Sequence, residues 1–280
     1  MASNRRGRRT AIGAALLALA IAGVLGVAAY FIGIEVEDVA TDRKRAGNFA
    51  LFAAGRALPD TPELGHLTQR LRTAGVTHGA PIFVRIFKRE FELELWLKRG
   101  DRFQRFATYP VCNWSGRLGP KIREGDRQAP EGFYTVDARA LNPQSRWHRS
   151  FNLGFPNAFD RAHGRTGSLL MVHGGCSSVG CFAMTDPVID ELWQLVTAAL
   201  GNGQKRIHVH VFPFRMMAEN MAAAAPHAAA PFWQSLKGGH DAFDATQQLP
   251  EITVCGQRYD VRTPASPAAT DATIAEKCGS

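Results

Sequence analysis

Residues Ala11 to Gly33, AIGAALLALAIAGVLGVAAYFIG, run for 23 positions without a charge, and this constrains the chain more than any other feature. As a helix the run would span about 34 Å, enough to cross a bilayer with some tilt. A buried helix of a water-soluble domain would carry a polar stripe, and this one has none. A cleaved signal peptide has a shorter apolar region, about 7–15 residues, and a small-residue cleavage site. Here the run leads straight into YFIGIEVED, so residues 11–33 are expected to be an uncleaved transmembrane anchor. Arg5, Arg6, Arg8 and Arg9 lie before it in a basic segment, residues 1–10, that the positive-inside rule keeps cytoplasmic. Everything after Gly33 is then exported, as the periplasmic body of a bacterial inner-membrane protein.

Export changes the meaning of the charge. The formal net charge of +8 includes those four arginines; without them 29 Lys and Arg face 25 acids, or +4. The basic residues are scattered, as in KIREGDR and RLRT, so no nucleic-acid partner is expected. An anionic wall polymer or an acidic peptide is compatible with such a surface.

Residues 34–79 read as a connector followed by a helix, with Asp60 as N-cap, Pro62 in the first turn and Leu64, Leu67 and Leu71 on one face. From Pro81 the period changes to two. PIFVRIF, FELELWLK and RFQRFATYPV alternate or cluster β-branched and aromatic residues, with EGFYTVDA and SLLMVH as further strands. Asp186-Pro187 opens a helix, DPVIDELWQLVTAAL, that GNG stops, and KRIHVHVF returns as a strand. The expected body is therefore mainly β with peripheral helices over residues 80–213. Residues 214–262 are a helical extension, interrupted by the low-complexity loop MAAAAPHAAAP and closed by one last strand, EITVCGQRYDVR. Residues 263–280 read as a flexible tail.

Chemistry concentrates in MVHGGCSSVGCFAMTD, residues 171–186. Three readings fit His173, Cys176 and Cys181. As a metal site they make H-x2-C-x4-C, but a structural zinc wants four ligands, and Cys112 or His163 would have to come from elsewhere. As a disulfide, Cys176 pairs with Cys181 or with Cys112, while Cys255 and Cys278 close a tail loop. Five cysteines leave at least one thiol over, which an oxidising compartment tolerates best when the thiol is used. As a nucleophile, Cys181 lies beyond a tight Ser-Ser-Val-Gly loop from His173 at a strand end, with the amides of Gly180 and Cys181 free to meet an oxyanion. The bland alternative, two buried small cysteines and a satisfied core histidine, fits a lone cysteine better than it fits H-G-G-C-S-S-V-G-C.

These residues resemble the active-site segment of the L,D-transpeptidases of the YkuD-like type, in which His-Gly leads to a Ser-x-Gly-Cys loop. Val179 stands where the main group has a second histidine, a departure shared with the murein L,D-transpeptidase branch often called YafK-like. YPVCNWSGRLGPKIREGDRQAPEGFYTV, residues 109–136, is similar to that branch's upstream block, and PFWQSLKGGHDAFDAT to its C-terminal helical segment. The resemblance spans roughly residues 80–250 in ordered blocks. It implies an L,D-transpeptidase-type β-sandwich with Cys181 as nucleophile, His173 as base, the Gly174 carbonyl orienting the imidazole, and the Gly180 and Cys181 amides as oxyanion hole. Ser178, Tyr134 and Lys121 are the substrate-side residues it suggests, with Glu124 and Asp126 in the same matched block. No metal and no cofactor is implied.

The implied reaction is attack by Cys181 on the diamino acid carbonyl of a peptidoglycan stem tetrapeptide, with loss of the terminal D-alanine and a thioester left behind. An amine on a neighbouring stem or on a wall-linked lipoprotein then resolves it. With water as acceptor the same site is a carboxypeptidase or an amidase that releases such a lipoprotein. A non-enzymatic wall-binding module, with its cysteines locked in disulfides, is the remaining alternative.

Overall fold

The computed structural model describes residues 37–263 and 274–278, together with Leu16, Leu19, Ala20, Ile21, Gly23 and Val24. Apart from those six residues, the expected basic segment and anchor lie outside the described residues. Among the described residues no helix is long and apolar enough to cross a membrane. Residues 1–44 and residues 45–280 form separate compact units, and the account below concerns the second.

Helix α1 occupies 37–53, where a connector was expected. In its second half Asn48 donates to the carbonyls of Val111 and Cys112, and Leu51 and Phe52 pack on Leu58, Cys112 and Cys176. The expected helix after Asp60 is shorter than its pattern suggests. Asp60 sits in the left-handed region at φ 63° and caps nothing; a 3-10 turn, Leu64–His66, leads into α2, Leu67–Thr73. Only Leu71 of its leucine stripe is buried.

Ten strands then form two five-stranded sheets. They are β1 (Ile82–Phe87), β2 (Glu92–Arg99), β3 (Arg102–Pro110), β4 (Asn113–Trp114), β5 (Gly132–Val136), β6 (Leu141–Ser145), β7 (His148–Asn152), β8 (Met171–His173), β9 (Phe182–Ala183) and β10 (Ile207–Phe212). One sheet runs β3-β2-β1-β10-β5 and the other β4-β9-β8-β7-β6. Each contains one parallel pair, β1 with β10 and β8 with β9. All these strands fall inside the expected 80–213 body. Ile82, Val84 and Val209 of the first sheet share one core with Phe151, Val172 and Phe182 of the second and with Val188, Leu192 and Val196 of α4, Asp186–Gly201.

The first sheet is covered on its other face as well. Phe87, Phe133 and Phe212 pack there against Trp233 and Leu236 of α6, Ala230–Thr246. This explains why β1 and β10 are buried along their whole length although their sequences alternate. Charged members of the covered face are paired: Arg85 with Asp244 at 2.5 Å, and Glu94 with Arg215 at 2.9 Å.

Two expectations for the C-terminal part change. EITVCGQRYDVR is a hairpin, β11 (Glu251–Cys255) and β12 (Arg258–Arg262), because Gly256 and Gln257 both take positive φ and turn the chain. The tail is not loose throughout: Ile274 is buried, Val254 bridges Glu276, and Cys278 is bonded to Cys255. The helical extension begins with α5, Ala218–Ala223, so the alanine-rich stretch is loop only between that helix and α6.

Candidate active site

Strand register places His173 and Cys181. Val172 lies opposite Phe182 in the parallel pair, and both point into the shared core. Side chains alternate along a strand, so His173, one step from Val172, falls on the other face. His173 ends β8, and Cys181 lies in the bend just before β9. The Met171 amide donates to the Cys181 sulfur at 3.4 Å, fixing the thiol over the start of β8. Cys181 is half-buried and is the free cysteine; the other four form Cys112–Cys176 and Cys255–Cys278.

The imidazole is held from two sides. Its Nδ1 lies 2.5 Å from the Gly174 carbonyl, which makes Nδ1 the protonated nitrogen and leaves Nε2 without a proton. Trp147, at the tip of the β6–β7 hairpin, stacks on the ring with centroids 6.1 Å apart. Gly174 admits no side chain: a Cβ there would meet Asp186 Oδ1 at 2.5 Å and Ile189 at 3.0 Å. That carboxylate, in the first turn of α4, accepts from the Gly175 amide at 2.8 Å and so ties the loop to the helix.

Beyond the loop, Gly180 has φ 109°, a conformation that excludes most side chains. Its amide, an expected oxyanion donor, gives its hydrogen to Ser115 Oγ at 2.5 Å. Ser115 Oγ lies 3.2 Å from Ser178 Oγ, and Ser178 donates to the Cys181 carbonyl at 2.7 Å. Ser178 therefore shapes the loop from within. Burial moves the two reactive groups in opposite directions. It pushes the His173 pKa below its usual value, against the Gly174 carbonyl, and the Cys181 thiol above its usual value, against the Met171 amide. Both directions favour a neutral imidazole and a protonated thiol at neutral pH.

Tyr134 and Lys121 are not presented to a ligand at the thiol. Tyr134 is fully buried, and its hydroxyl donates to the Glu131 carbonyl and to Asp160. The Lys121 ammonium is buried between Asp126 and the Arg123 carbonyl, with Asp126 also accepting from the Ile122, Arg123 and Gln128 amides. Glu124 contributes its amide to Thr166 Oγ1. The upstream block is thus a built loop. Its anchor is Lys88, wholly buried, which donates to the carbonyls of Arg117, Gly119 and Ala129 and to Glu131 at 2.8 Å. Cys112 is held in its disulfide and His163 stacks on Phe159, so neither joins His173 as a metal ligand.

The family described as YkuD, L,D-transpeptidase catalytic domain, matches residues 84–211, from β1 to the end of β10. The protein named "Putative L,D-transpeptidase YafK" of Escherichia coli (strain K12) is 46% identical over 188 residues, covering 67% of this chain and 76% of that protein. The chain belongs to the L,D-transpeptidase catalytic-domain family. Among solved structures, the helical cell shape determining protein Pgp2 of Campylobacter jejuni, as its K307A mutant, aligns at TM-score 0.40 and 19% identity, covering 65% of this chain and 67% of that one. Bdellovibrio bacteriovorus Bd1075 aligns at 0.35 and 18%, covering 59% and 60%.

As an L,D-transpeptidase-family member the chain is a peptidoglycan-related transpeptidase. Four residues that hold its site were not singled out from the sequence: Ser115, Trp147, Met171 and Asp186. Ser115 and Trp147 reach the loop from 65 and 26 positions before Gly180 and His173, and only the fold joins them.

Proposed function

We propose that this protein is a cysteine-dependent peptidoglycan acyltransferase of the periplasm. The observation that carries the reading is that four of five cysteines are paired, while the free one, Cys181, has its sulfur against the Met171 amide at the start of the strand that ends in His173. In this reading His173 Nε2 takes the thiol proton as sulfur bonds to the stem-peptide carbonyl. The amide C–N bond then breaks, the imidazolium protonates the departing amino group of D-alanine, and a thioester remains on Cys181. An acceptor amine attacks the thioester, gives its proton to His173, and the thiol is restored. The oxyanion falls to the Gly180 and Cys181 amides, which requires Ser115 Oγ to give up its bond to Gly180 as substrate arrives. The two disulfides support an oxidising compartment, in keeping with export behind the residue 11–33 segment.

The test mixes the full chain with disaccharide-tetrapeptide and reads intact-protein and product masses together. A thioester adduct on Cys181 with crosslinked dimers establishes transfer. An adduct with tripeptide alone moves the protein to hydrolysis of stem peptides or of a lipoprotein link. Crosslinking by Cys181→Ala would sink the nucleophile.

A further inference from the structure

A polar cavity lies between β5 and the chain that follows β7. It encloses about 390 Å³ and is lined by Arg139, Arg161 and Arg206 with Asn152, Asn157 and a single acid, Asp137. Its position follows from strand register. Met171, whose amide holds the Cys181 sulfur, is the register partner of Asn152 on β7. Two strand spacings, about 10 Å, therefore separate the thiol from the cavity's Asn152. Cys181, Met171 and Asn152 fall in one row across the second sheet.

The charge on this wall is one-sided. Asp137 engages Arg139 at 3.3 Å, an exposed pair of little energetic weight. Arg161 donates to the Pro156 carbonyl at 2.5 Å and has no acid within ion-pair distance among the described residues. Asn157 is fixed, its amide nitrogen bonded to the Phe133 carbonyl and the Tyr259 hydroxyl while its side-chain oxygen caps α3 (Ala158–Ala162). Guanidinium groups at the rim of a recess recognise carboxylates by paired N–H donors.

We propose that this cavity is an anion subsite that takes a carboxylate of the peptide donor, about 10 Å from the carbonyl attacked at Cys181. The proposal rests on Cys181 being the nucleophile. It gives the enzyme a means of selecting acidic peptides and of setting their register, so that the scissile carbonyl arrives over the thiol. Tyr134, which also lines the cavity, contributes through its place on β5, its hydroxyl being turned to Glu131 and Asp160.

The test uses Arg161→Gln, Arg139→Gln and the double variant of the full chain, with two readouts. In steady state the double variant raises KM for the tetrapeptide about tenfold, with a smaller change in kcat. On a Cys181→Ala background, titration gives a matching loss of tetrapeptide affinity. A tetrapeptide with amidated carboxylates binds native and variant alike. Inorganic phosphate is titrated in parallel as the free-anion probe. Unchanged KM and affinity for the acidic tetrapeptide overturn the proposal, and so does a loss confined to phosphate. Because the titration needs no chemistry, failure of Cys181 to form an adduct strikes the nucleophile and leaves the cavity's role to be read separately. Circular dichroism of the arginine variants, whose side chains are exposed, checks that the fold is kept.

Discussion

The Met171 amide donates to the Cys181 sulfur across the parallel β8–β9 pair, so the thiol is held by the strand that also carries His173. That bond favours the thiolate, yet burial outweighs it and the thiol stays above its usual pKa, while burial keeps His173 below its own. A neutral acid-base pair is therefore the resting state across neutral pH. The imidazole must remove the proton during attack, because no preformed ion pair does so beforehand.

The acylation rate should accordingly rise with pH only through an acid limb below the usual histidine range, then stay level through neutrality. His173→Ala should lower it about 10²–10⁴-fold and convert the plateau into a steady climb, tenfold per pH unit, toward the raised thiol pKa. Intact-mass kinetics from pH 5 to 10 measure both profiles. A climbing profile in the native protein would show that His173 is not the base.

Ser115→Ala tests how Gly180 is held. The hydroxyl accepts from the Gly180 amide and sits beside Ser178, which in turn holds the Cys181 carbonyl. Removing it should cost about 1 kcal/mol of stability and lower kcat roughly three- to tenfold as the loop loses its fixed orientation. Thermal melts and steady-state kinetics give the two numbers. A higher kcat would instead show that release of the Gly180 amide from Ser115, which the oxyanion requires, limits the rate more than the loop's orientation does.

The disulfide Cys112–Cys176 staples the near end of the same loop to the residue just before β4, and α1 packs on it through Leu51 and Phe52. It closes a 64-residue separation, for which chain entropy alone is worth about 4 kcal/mol. Replacing both cysteines by alanine should lower Tm by about 10 °C. Thiol titration of the unfolded, non-reduced chain should find one thiol, rising to five after reduction. More than one before reduction would overturn the pairing.

What could be read beforehand divides along physical lines. DPVIDELWQLVTAAL carries its own start, period and stop, and it folds as α4; β1, β2, β3 and β10 alternate and lie where their patterns put them. The β6–β7 hairpin was missed because LNPQS and HRSFN are polar: it ends its sheet, and much of it faces solvent. His173 and Cys181 stand out as candidates in the sequence because they lie eight residues apart in one segment. Ser115, Trp147 and the choice of Cys112 as partner do not, since register between distant strands decides them.

The same limit explains His210. In KRIHVHVF the apolar face of Ile207, Val209 and Val211 is evident, but nothing local says that the opposite face is covered too. His210 is completely buried, with Phe83 and Phe133 each 4.7 Å away between ring centroids. Neither ring nitrogen has a hydrogen-bond partner among the described residues, and burial, with His208, Arg85 and His240 nearby, holds its pKa well below the usual value. The unfolded chain thus binds a proton that the folded chain refuses. Stability from this group is complete above the unfolded histidine value, about 6.5, and falls as pH drops below it. His210→Phe keeps the ring and removes the proton, so it should flatten the loss of Tm between pH 7.5 and 5 while leaving Tm at pH 7.5 unchanged or higher. An equally steep acid loss in His210→Phe would assign it to other buried groups, with His173 and His240 next in line because burial lowers both.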